Sequence, residues 1–164
     1  MHSRKGFTLI ELMVVIAIVA ILASIGYPGF QTLIMNNRMT SQTNGLLGVL
    51  QLARSEAVTQ RKVTTVCPTT NQSTCAAAGT DWNVGVLVRL SDATVVRVTP
   101  AVANGALSLS GANSITFAID GTTANGGALR VCDSRGDANS RTILINTAGQ
   151  SRSRAFQAGD VACR

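Results

Sequence analysis

Histidine is nearly missing from this chain: among its 164 residues there is one, His2. Acid–base chemistry near neutral pH, and the metal sites that imidazole most often builds, have little to work with. Aromatic residues are also few: Phe7, Tyr27, Phe30, Trp82, Phe117 and Phe156. They offer no platform on which single-stranded nucleic acid would stack. Charged residues make up only 13% of the chain. Asp81, Asp92, Asp120, Asp133, Asp137 and Asp160 are isolated and fall mostly in predicted turns, where aspartate serves the backbone. No Gly-x-Ser-x-Gly, Walker or Gly-x-Gly-x-x-Gly segment occurs. The sequence reads as a non-enzyme that holds no cofactor and no metal.

What the chain does have is one long apolar run at its start. Arg4-Lys5-Gly6 leads into Phe7-Thr8-Leu9-Ile10-Glu11, and apolar residues continue to Tyr27. Phe7 to Tyr27 is 21 residues, about 31 Å as a helix, which suits a hydrocarbon core of about 30 Å. A secretory signal peptide would place its small-residue cleavage site after the apolar core. Here the natural scissile point, Gly6-Phe7, lies before it. A plain membrane anchor accounts for the length and the basic flank but not for Glu11, since a carboxylate in lipid costs about 2.5–3.5 kcal/mol.

Gly6-Phe7-Thr8-Leu9-Ile10-Glu11 followed by an apolar helix resembles the class III signal of type IV pilins and pseudopilins. The resemblance covers residues 4–30. It implies cleavage by a prepilin peptidase after Gly6 and N-methylation of the new terminus, Phe7. It also implies that Glu11 meets the terminal amine of a neighbouring subunit during filament assembly. The expected organisation is a leader at 1–6, a membrane and filament-core helix at 7–28, and a periplasmic domain at 29–164. Loss of the leader removes Arg4 and Lys5, leaving 12 basic residues against 8 acidic. That mild excess is by itself a weak pointer to an anionic partner.

The four cysteines, Cys67, Cys75, Cys132 and Cys163, all follow the anchor. With an export signal, an even count reads as two disulfides in an oxidising compartment. Three pairings are open. Cys67–Cys75, closing a short polar loop, and Cys132–Cys163, tying the tail to a strand, are favoured. Zinc lacks a C-x₂₋₄-C pair. The segment Asp133–Asn139 has oxygen-bearing residues at alternating positions, like a calcium loop, but it lacks the bidentate Glu and carries Arg135.

Beyond Tyr27, Pro28 predicts a bend. Phe30, Leu33, Ile34, Leu46, Leu47, Leu50, Ala53, Ala57 and Val58 keep a three–four spacing that predicts helix to about Lys62. The polar patch Thr40–Gly45 allows a second kink. The texture then changes to strands at 62–67, 82–90, 94–99, 114–119, 128–133 and 141–146, with turns at Ser91-Asp92-Ala93 and Asp120-Gly121. The expected fold is α+β: a long N-terminal helix packed on a twisted antiparallel sheet. Leu50–Arg61 is similar to the segment typical of the GspH/FimT group, and Trp82-Asn83-Val84-Gly85 to its Trp-x-x-Gly strand opening. That group spans minor pilins and the minor pseudopilin of type II secretion. Arg54 and Glu56 read as solvated helix face.

Six arginines lie from Arg130 onward: Arg130, Arg135, Arg141, Arg152, Arg154 and Arg164. Arg152 and Arg154 alternate, so an extended segment places both on one side, and each guanidinium matches a phosphate. DNA-binding members of the FimT type resemble this through a C-terminal Gly-Arg-x-Arg element. Here Gln150-Ser151 intervenes after Gly149, so the carry-over reaches Arg152 and Arg154, with Gly149 as the preceding turn. Arg141 and Arg164 are candidates on charge alone. The competing reading is a charged edge strand that blocks edge-to-edge pairing.

The expected function is a minor pilin of a type IV pilus, held in the inner membrane with a periplasmic domain and then drawn into a surface filament. Its expected partners are other pilins, prepilin peptidase and, during natural transformation, DNA bound without sequence preference. The alternatives are an assembly-priming minor pilin without DNA binding and a minor pseudopilin of a type II secretion system.

Overall fold

The structure, a computed structural model, describes residues 6–101, 107–124, 126–160 and 163. The chain divides into two units, Met1–Asn37 and Arg38–Arg164, and one helix, α1 (Leu9–Gln60, 52 residues), runs through both. Thr8 starts it: its hydroxyl accepts from the Glu11 N–H (3.3 Å) and its carbonyl from the Leu12 N–H (3.2 Å). Thr8 is therefore the N-cap and Glu11 the third helical residue, the Thr-x-x-Glu pattern of a capping box. In the first unit the apolar side chains Phe7, Ile10, Met13, Ile18 and Ile21 are all more than half exposed, and α1 is long and apolar enough to cross a membrane. The helix is unbroken through Pro28 and through Thr40–Gly45. The polar patch does not interrupt it because Thr43, buried, donates its hydroxyl to the Met39 carbonyl at 2.8 Å, meeting its need within the helix.

Among the described residues, the second unit holds two four-stranded sheets where one was expected. The first runs β3-β2-β1-β5, from β1 (Thr64–Pro68), β2 (Gly85–Leu90), β3 (Val95–Pro100) and β5 (Ile115–Phe117). The second runs β4-β6-β7-β8, from β4 (Leu107–Gly111), β6 (Gly127–Asp133), β7 (Arg141–Ile145) and β8 (Ser151–Ala155). All pairings are antiparallel. One strand, β4, was not expected, and β8 is the edge strand that the competing reading of Arg152 and Arg154 describes. Both are sheet edges rich in serine; the alternation of Leu107-Ser108-Leu109-Ser110 is too short, among flanking Gly, Ala and Asn, to mark a strand without the neighbour that templates it.

One core joins the layers. Met39, Leu46, Val49, Leu50, Ala53 and Ala57 of α1 meet Val66, Val86, Val88, Ile115 and Phe117 of the first sheet and Leu129, Val131, Ile143 and Ile145 of the second. Burying each large aliphatic or aromatic side chain contributes about 1.5–3 kcal/mol. Trp82 is buried, and its indole N–H donates to the Ala112 carbonyl at 2.7 Å, tying the start of β2 to the chain between β4 and β5. The expected strand at 82–90 begins three residues late, because Trp82–Val84 form a 3₁₀ turn and Gly85 has φ +124°. The four cysteines form two disulfides, Cys67–Cys75 and Cys132–Cys163.

Candidate functional site

The tail arginines lie on the second sheet. In that sheet Leu129, Val131, Ile143 and Ile145 face the core, so the strand alternation turns Arg130, Thr142 and Leu144 outward. Register carries this across: Thr142 faces Arg154 and Leu144 faces Arg152. Arg152 and Arg154 therefore stand on one outward face of an edge strand. Arg141 opposes Ala155, which puts it on the other face and at the far end of the ladder. Arg164 lies outside the described residues, as do Arg4 and Lys5. Of the four expected DNA contacts, the fold brings two together.

Those two differ in kind. Arg152 is exposed and has no hydrogen-bond or ion-pair partner among the described residues. It borders a shallow depression with Leu144, Ile145, Asn146 and Gln150. Arg154 is gripped by Asp160 through two parallel bonds, Nη1 to Oδ2 at 2.8 Å and Nη2 to Oδ1 at 2.5 Å. The same carboxylate accepts from the Thr142 hydroxyl (2.9 Å) and the Gln157 N–H (3.0 Å). Arg154 first, then the Gln157 amide, holds the Asp160 carboxyl down at about 2. Its folded value lies below the ordinary carboxylate value near 3.9, so the pair adds stability above that pH and loses it only as pH falls towards 2.

The other arginines of this region are internal. Arg130 is buried; its Nε and Nη2 donate to the Ser140 hydroxyl at 2.9 and 2.7 Å. It also pairs with Asp137 at 3.0 Å and lies 4.4 Å under the Phe156 ring. Arg135 pairs with Asp133: burial pushes that carboxyl up, but Arg135 and its amide prevail and hold it below the ordinary value. Both carboxylates of the calcium-loop-like segment are thus engaged by guanidinium groups. Phe156, Asp160 and Cys163 belong to a C-terminal strap laid over the outward face. Cation–π contact, ion pair and the disulfide to Cys132 fasten it at three points.

The residue that sequence reasoning undervalued is Arg54. It is half-buried rather than solvated, and it donates to the Gly121 carbonyl (3.0 Å) and the Ala148 carbonyl (3.1 Å). It thus docks two loops, the Asp120-Gly121 turn and the β7–β8 connection, against the end of α1. Thr123 adds bonds from its N–H to the Thr147 carbonyl (2.9 Å) and from its hydroxyl to the Asn146 carbonyl (3.2 Å). This docking sets where β8 begins and so where Arg152 stands. Arg54→Met should lower stability by about 1–2 kcal/mol in thermal melts, since two charge-assisted bonds go, one of them to the carbonyl of buried Gly121. Glu56→Gln, whose carboxylate only accepts from Gln60, should change it by less than about 0.5 kcal/mol. Equal effects would return Arg54 to the solvated face.

The geometry has counterparts. The family model described as "Type II transport protein GspH" matches residues 42–149, and that of the "Prokaryotic N-terminal methylation motif" matches residues 1–27. The chain belongs to the GspH family of type IV minor pilins and pseudopilins. Fimbrial protein EcpC of Eikenella corrodens is 34% identical over 135 residues, 82% of this chain and 86% of that protein. The type IV major alpha-pilin of Moraxella bovis is 44% identical over 62 residues, 38% of each chain. The crystal structure of the type IV minor pilin FimU of Pseudomonas aeruginosa covers 78% of this chain and 94% of its own, with TM-score 0.58 and 22% identity. That likeness establishes the pilin fold, a long N-terminal helix on antiparallel sheet. Membership makes this pilin-family chain a filament component that assembles with other pilins, its apolar helix serving as membrane anchor.

Proposed function

We propose that this chain is a minor pilin of a type IV pilus rather than a secretion pseudopilin. The observation that carries the reading is its fimbrial relative, similar along 82% of the chain. In this reading, prepilin peptidase cleaves after Gly6, Phe7 is methylated, and residues 7–28 hold the protein in the inner membrane with residues 29–164 in the periplasm. Glu11 then pairs with the terminal amine of a neighbouring subunit as the filament grows. An apolar surrounding strengthens such a pair and makes an unpaired Glu11 costly. Mass spectrometry should find residues 1–6 absent and one added methyl; a membrane-bound protein that retains Met1 would refute the processing. Deleting the gene should reduce piliation and spare protein secretion. The reverse result would favour the pseudopilin, the role in the description of the matching family model.

DNA capture is the finer part of the proposal. Exposed Arg152 on an outward sheet edge supports it, with Arg154 beside it. Contacts of this kind grip phosphates, read little sequence and weaken steeply with salt. Full-length mature protein in detergent should retard a short duplex at 20 mM salt, and Arg152→Ala with Arg154→Ala should abolish the shift. Unchanged binding by the double variant would remove the tail from the reading, and no binding at low salt would remove DNA capture altogether.

A further inference from the structure

Two arginines on one strand face look equivalent, yet the chain treats them differently. Arg152 is open to solvent. Arg154 has a side chain 27% exposed, with both its Nη groups on Asp160. The paired, parallel geometry that Asp160 uses is the one an arginine uses on a phosphate. Asp160 and a phosphodiester therefore compete for the same N–H donors.

The competitor is also well placed. Its turn is closed by the bond from its own N–H to the Gln157 carbonyl at 3.1 Å. Three residues on, Cys163 is tied to Cys132 in β6, and its N–H donates to Asp137 at 3.0 Å. The carboxylate thus arrives at Arg154 already ordered, without the entropy cost that a free side chain pays for a surface pair. An incoming phosphate would have to displace a held ligand at Arg154, whereas at Arg152 it meets open water.

We infer that Asp160 is an internal phosphate mimic that withholds Arg154, so that the edge strand offers a phosphodiester backbone one guanidinium instead of two. The inference rests on the DNA-capture reading and names what limits it. Each phosphate neutralised adds about 0.9 to the steepness with which log K falls against log salt. Asp160→Asn, which keeps an oxygen for Thr142 but gives up the charge, should release Arg154. The salt slope should steepen by about 0.9, and duplex affinity should rise roughly 15-fold at 50 mM salt and about 5-fold at 150 mM.

The test is fluorescence anisotropy of a labelled 16-base-pair duplex against full-length protein in detergent, from 20 to 200 mM salt. The variants are wild type, Asp160→Asn, Arg154→Gln, Arg152→Gln and Asp160→Asn with Arg154→Gln. The inference expects the gain in Asp160→Asn to vanish in the double variant. A gain that persists there comes from removing a negative charge alone and overturns the inference. Arg154→Gln does not depend on how well Asp160→Asn folds. It should leave the wild-type salt slope unchanged, whereas Arg152→Gln should flatten it. If Arg154→Gln flattens the wild-type slope as Arg152→Gln does, Arg154 is already in use; the inference fails while DNA capture stands. If neither wild type nor Asp160→Asn binds at 20 mM salt, DNA capture fails and the inference with it.

Discussion

Gly149→Ala is expected to destabilise the globular unit by roughly 3–4 kcal/mol and to lower its melting temperature by roughly 10 °C. Two costs combine. Gly149 has φ +73°, a left-handed conformation that disfavours a side chain by about 1–2 kcal/mol. A Cβ there would also stand 1.9 Å from the Gly121 carbonyl oxygen and 3.1 Å from Arg54 Nε. Backbone on one side and the stapled arginine on the other leave it nowhere to go. The β7–β8 connection would have to lift, breaking the Arg54 bond to Ala148 and the Thr123 bonds to Thr147 and Asn146. Gly79→Ala is the control: Gly79 is the third residue of the turn closed by the Thr80 N–H on the Ala77 carbonyl, its φ is +85°, and a Cβ meets nothing within 4 Å. It should cost only the conformational part, about 1 kcal/mol. Melts of the full-length protein followed by circular dichroism decide the matter; equal losses at the two positions would show that packing of Gly149 on Gly121 contributes nothing.

Glu11→Val is expected to leave membrane insertion intact and to remove the protein from sheared filaments, at least tenfold and below detection in a simple blot. Insertion becomes easier, because the carboxylate that costs about 2.5–3.5 kcal/mol in lipid is gone. In the proposed assembly, a neighbour's terminal amine among apolar helices would lose its counter-charge, a loss of about 3–5 kcal/mol. The fold supplies a rival account, since Glu11 is also the third residue of a helix capped by Thr8. Glu11→Gln separates the two. Glutamine keeps the capping-box chemistry but not the charge, so it should fail as valine does. Incorporation of Glu11→Gln at the wild-type level would assign Glu11 to the cap and end the ion-pair role.

Much of the fold was legible in the sequence because its signals are local. Three–four spacing from Leu46 to Ala57 marks the helix face that enters the core, and period-two runs mark β3, β6 and β7 within one residue at each end. What failed was weak local signal or long-range consequence. Serine-rich β4 is a strand because β6 offers it hydrogen-bond partners, whereas β8, paired to β7, is the edge strand that one reading of its arginines foresaw. Trp82-Asn83-Val84 reads as strand, but the indole's bond to the Ala112 carbonyl draws it into a turn. One sheet became two because alternation says which side chains share a face, not which strands share a ladder.

The candidate site was harder still. Arg54 looked like a solvated helix arginine because its partners, the Gly121 and Ala148 carbonyls, lie 67 and 94 residues away. Among three open cysteine pairings the fold holds Cys67–Cys75 and Cys132–Cys163. The second pairing shapes the tail as a strap.

The sequence by itself determined the long helix with its apolar first half and most strand segments. Each depends on residues within a few positions of one another. Only the tertiary structure decided which cations are available. Charge counts treat the six distal arginines alike, but Arg130 is buried under Phe156, Arg135 is bound to Asp133, and Arg154 is held by Asp160. Ion pairing depends on distances of a few ångströms, and those are set by how the strap closes over the sheet.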